Sequence, residues 1–62
     1  MKIIEKISDK IMDEIDCAEE YAKCALYYKE ERPQLAEVYS RIANEKLGHM
    51  ELLHGQVVAI IE

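Results

Sequence analysis

The sequence predicts an all-α fold: an antiparallel two-helix hairpin that pairs with a second copy into a four-helix bundle. Three observations predict it. Apolar residues recur at helical spacing along nearly the whole chain, one proline interrupts them, and they exceed what two helices can cover between themselves. Sixty-two residues, half of them hydrophobic, form one unit below the size at which a lone core gives comfortable stability.

Helix 1 is expected from about residue 2 to residue 30. Written in heptads, its a positions are Ile4, Ile11, Ala18 and Ala25, and its d positions are Ile7, Glu14, Tyr21 and Tyr28. Only Glu14 breaks the apolar seam. The segment Lys29-Glu30-Glu31-Arg32-Pro33-Gln34 lacks apolar periodicity and holds the single proline, so the turn is expected at about 31–33. Pro33 steers Arg32 out of the helical region and suits the first turn of a new helix.

Helix 2 is expected from about residue 34 to residue 62. Ala36, Ala43, Met50 and Val57 occupy its a positions, with Tyr39, Lys46, Leu53 and Ile60 at d. Again one position is charged, and it is Lys46. The chain closes on Val57-Val58-Ala59-Ile60-Ile61-Glu62 without a C-cap signal, as expected of a helix that continues in a longer parent. So short a connection makes the helices antiparallel. Folding at Arg32 makes facing residue numbers total about 64, which pairs Ile4 with Ile60, Ile11 with Leu53, Tyr21 with Ala43 and Tyr28 with Ala36. Large meets small along most of that seam, as close packing requires.

This register gathers the polar exceptions into one layer. Glu14 faces Met50, with His49 beside it at a g position and Lys46 a turn away. Unpaired charge in an apolar seam costs several kcal/mol, so the layer calls for a metal, an ion pair or water. Two readings stand side by side. One is a metal held at Glu14 and His49. The other is a seam ion pair between Glu14 and Lys46 that fixes helix register.

Helix 2 carries Leu35, Ile42, Leu47, Leu52, Val58 and Ile61 beside its seam, and helix 1 adds Ile3, Ile15, Ala22 and Leu26. These flanking stripes imply a homo-oligomer, a dimer or a larger ring. Gly48 and Gly55 sit seven residues apart on the face opposite the seam, where they either admit a neighbouring helix closely or are simply tolerated.

Charge and cysteine usage exclude other classes. A net charge of −5 with no Lys/Arg stripe argues against nucleic acid and against an anionic membrane surface. The longest apolar run, Val57–Ile61, is too short to span a bilayer, and no signal-peptide layout precedes helix 1, so a soluble, cytoplasmic protein is expected. Cys17 and Cys24 lie two turns apart on one helix, roughly 10 Å, too far to bridge each other.

Glu14, Tyr21 seven residues on, Ala25, then Ile42-Ala43 and His49 resemble the half-site of rubrerythrin-like proteins of the ferritin superfamily. The nearest likeness is to the encapsulated ferritins, whose protomer is a two-helix hairpin that pairs to rebuild a four-helix bundle. The likeness covers roughly residues 11 to 58. In that family the first helix gives a Glu and the second gives Glu-x-x-His in an Ile-Ala-x-x-Glu-x-x-His context. Two protomers then hold a di-iron centre between them. The resemblance implies Glu14 and His49 as ligands, Tyr21 as an aromatic near the site, iron as cofactor, and ferroxidase-type oxidation of Fe(II) where the site is intact. One position departs from the pattern: the second-helix Glu is Lys46 here, with Glu45 one residue earlier as the substitute ligand, and the literal Glu-x-x-His of Glu51 and His54, on the outer flank, is the second choice. An ammonium neither ligates iron nor tolerates a nearby dication. The opposing expectation is therefore a non-catalytic hairpin, an adaptor or inhibitor with a protein partner, in which the Glu14–Lys46 pair has replaced the metal.

Overall fold

The computed structural model describes all 62 residues as two α-helices, α1 (Lys2–Tyr28) and α2 (Pro33–Ile61), joined by residues 29–32. There is no strand, and the helices pack on each other as a hairpin.

The turn follows from Pro33. Arg32 has φ −139° and ψ 75°, extended backbone of the kind a following proline enforces. Pro33 then opens α2, and the Ala36 N–H reaches the Arg32 carbonyl at 3.0 Å as the first bond of the new helix. On the other side α1 ends at Tyr28, two residues earlier than its periodicity suggests. Lys29 keeps helical angles, but its N–H bonds back only three residues, to Leu26 at 3.5 Å. That tightening is typical of a last turn. No side chain caps the start of either helix.

Cross-helix contacts report the register. Glu14 meets Lys46 and His49, and the Tyr39 ring packs on those of Tyr21 and Tyr28. The residue numbers in these pairs total 60 to 67, which brackets the 64 expected from the seam.

What the hairpin lacks is an interior. Only Ala18, Ala36 and Ala43 are buried, all small residues at a positions. The seam residues Ile4, Ile7, Ile11, Leu53, Val57 and Ile60 are covered only in part. Leu26 and Leu52 remain 73% and 72% exposed. The Cα extents are 47 × 14 × 9 Å and the radius of gyration is 14.4 Å. A compact chain of this length would have a radius of about 10.6 Å. The accessible area is 5047 Å² for 7.2 kDa. A compact protein of that mass exposes about 4,100 Å². Ile3, Met12, Leu26, Leu47 and Leu52 are among the large apolar side chains on that exposed surface. No helix is long and apolar enough to cross a membrane.

Candidate functional site

The polar layer forms where the two charged d positions meet. Glu14 on α1 and Lys46 on α2 project into one seam, and the long lysine stem lets its ammonium cross to the carboxylate. Lys46 Nζ stands 3.5 Å from Glu14 Oε2. His49, one turn on from Lys46, places Nδ1 at 3.4 Å from the same oxygen and donates to it in the tautomer that carries its proton there. This is the only side-chain hydrogen bond in the chain.

Burial separates this layer from the other ion pairs. Lys23–Glu20 at 3.6 Å and Arg41–Glu37 at 4.0 Å join side chains that are more than 70% exposed, and such pairs contribute little. Glu14 and Lys46 are 23% and 27% exposed, the one ion pair with both partners mostly covered. His49 is half open to solvent at 51%.

The remaining sequence-derived candidates do not join the layer. Glu45 is exposed on α2, and no three His, Cys, Asp or Glu side chains converge anywhere in the chain. Glu51 and His54 lie instead on the rim of a shallow recess with Ile11, Leu47 and Met50. Tyr21 packs its ring against Tyr39, with centroids 6.0 Å apart. Cys17 and Cys24 are free thiols.

The donor set decides what one chain can bind. A single carboxylate and a single imidazole, with an ammonium already against that carboxylate, do not fit an iron ion, which takes several oxygens plus nitrogen. Glu14 Oε2 already meets both Lys46 and His49, and each of the three side chains keeps access to solvent. A metal centre would need donors from a second chain and displacement of Lys46.

Two features escaped the periodicity reading. Tyr39 stacks between Tyr21 and Tyr28, with the Tyr28 ring 6.2 Å away and inclined at 23°. All three are d residues, and that was the available signal. The second is a groove on one side of the hairpin, walled by Ala22, Ala25 and Leu26 from α1 and Ala36, Ser40 and Ala43 from α2. Its small residues all lie at a or e positions, and Leu26 stands beside them at b.

The chain matches no protein-family model, no curated protein and no solved structure.

Proposed function

We propose that the chain is a non-catalytic assembly module: the subunit of a homodimeric, ferritin-like four-helix bundle whose polar layer is a charge lock. The observation that carries this reading is Lys46 Nζ at 3.5 Å from Glu14 Oε2, both side chains mostly covered. In a seam that is otherwise apolar, slipping one helix by a turn would strand both charges. The pair therefore specifies register at some cost in stability, a well-attested use of a buried polar break. The uncovered apolar flanks supply the drive to dimerise, because an area excess near 900 Å² is about one partner's share of a standard interface.

A second reading rests on His49. An imidazole and a carboxylate already meet in one place, and a second copy would double the set. On that reading the dimer holds iron between protomers, with Glu14, His49 and Glu45 as ligands and ferroxidase-type chemistry as the consequence.

One experiment separates them. Protein purified with added Fe(II) or Zn(II) is analysed for metal, and its mass in solution is taken by light scattering. The charge lock predicts a dimer without bound metal in the parent. The iron reading predicts about one metal per chain, lost in Glu14→Ala and in His49→Ala. A monomer at high concentration removes both. Lys46→Glu restores the residue of the ferritin-like pattern. If that variant alone takes up iron, the parent layer is a metal site converted to a charge lock.

A further inference from the structure

We propose that the second copy docks on the face that carries Cys17, Cys24, Ile42 and His49, with α1 antiparallel to the partner's α1 and the two-fold axis at the polar layer. This inference rests on the homodimer reading above and specifies its geometry.

The first argument is position along the hairpin. Residue 15 is the midpoint of Lys2–Tyr28, and residue 47 is the midpoint of Pro33–Ile61. Glu14, Lys46 and His49 thus sit at mid-length on both helices. Two hairpins that overlap fully about a perpendicular two-fold must place that axis at mid-length, which sets the polar layer against its own copy. Full overlap also covers the most apolar area, and about 900 Å² per chain is in excess.

The second argument is charge. In the heptad frame the g and c positions of α1 share the side on which His49 approaches Glu14. Along that side α1 carries Lys6, Lys10, Asp13 and Glu20, and α2 adds Glu45 beside His49, two cations against three carboxylates. With the axis at residue 15, Lys10 and the partner's Glu20 stand at one height, and the mirrored pair forms beyond the axis. The opposite face, which holds the alanine groove, sets the carboxylates of Glu5, Glu19, Glu37 and Glu51 against one cation, Lys29. An isologous contact brings each face against itself, so the mixed face is favoured and the acidic one repelled.

The geometry makes a sharp statement about the thiols. Cys17 falls within about 6 Å, along the helix axis, of its own copy, whereas Cys24 and its copy are about 27 Å apart. The test is cross-linking of the whole chain with a short bis-maleimide, beside light scattering. A covalent dimer is expected in the parent and in Cys24→Ser, and its loss in Cys17→Ser. Lys10→Glu should weaken dimerisation about tenfold, and adding Glu20→Lys should restore it. A dimer that cross-links through Cys24 or through neither thiol overturns this face and leaves the homodimer standing. A dimer indifferent to the charge exchange overturns the antiparallel α1 pairing. A monomer overturns the homodimer reading itself, and this inference with it.

Discussion

Lys46 Nζ faces Glu14 Oε2 at 3.5 Å across the helix seam, and about a quarter of each side chain is still in contact with solvent. That partial burial decides what the pair is worth. Fully exposed pairs contribute up to about 1 kcal/mol, whereas breaking a fully buried one costs about 3–5 kcal/mol. Lys46→Met, which leaves the carboxylate with His49 as its one partner, is therefore expected to lose about 1–2 kcal/mol, and Glu14→Leu a similar amount. The double variant should return to the parent's stability or exceed it, because an apolar pair avoids desolvating either charge. Urea melts of all four proteins check this. Losses that simply add would show that the two residues are not coupled.

Tyr39 is the second link between the helices. Its ring lies 6.0 Å from that of Tyr21 and 6.2 Å from that of Tyr28, so one side chain serves two aromatic contacts. Removing it should cost more than removing an ordinary half-covered residue. Tyr39→Ala is expected to lower stability by about 2–3 kcal/mol and to weaken the near-ultraviolet dichroism of the tyrosines, whereas Tyr39→Phe should retain most of both. A loss of stability with the tyrosine dichroism intact would mean that the three rings are not coupled.

The hairpin was legible because helical period and a pre-proline residue are local properties of the chain. Arg32 takes its extended angles from the ring that follows it, and that constraint is written in the dipeptide. The polar layer was legible for a related reason: Glu14 and Lys46 are the only charged d positions, and the register that the short turn sets brings them close. The stacking of Tyr39 between Tyr21 and Tyr28 was not legible. Heptad positions give a residue's height and side, but rotamers decide how far a ring reaches along the seam. For the same reason spacing alone did not separate Glu45 from His49. Each lies within a turn of Lys46, yet only His49 swings toward Glu14 while Glu45 stays in solvent.

The glycines of α2 offer a test of the outer face. A methyl group built on Gly48 or Gly55 meets no atom within 4 Å, and neither residue has a positive φ. Both therefore cost helix propensity without any return in packing within the chain. Gly48→Ala and Gly55→Ala should each stabilise by about 1 kcal/mol, with higher melting temperatures. Both glycines occupy the side opposite the seam, away from the proposed docking face. The gain should thus hold when measured on the dimer, and a gain in chain stability paired with weaker dimerisation would place the partner against them.

The start of α2 is the least satisfied part of the fold. Arg32 occupies the N-cap with an extended φ of −139°, the backbone a cap needs, but its side chain makes no capping bond. The first turn that follows has no acidic residue to meet the exposed N–H groups or the positive end of the helix dipole. A cation at this end is also unfavourable. Arg32→Ser keeps the backbone and supplies an oxygen for the N–H groups two or three residues on, with an expected gain of about 1 kcal/mol. Arg32→Ala removes the cation without adding an acceptor and separates the two effects. If Ser and Ala stabilise equally, the gain comes from the lost charge; if Ser alone stabilises, it comes from the cap. Hydrogen exchange at Leu35 should slow in the Ser variant only, since that N–H lies within reach of a capping hydroxyl at position 32.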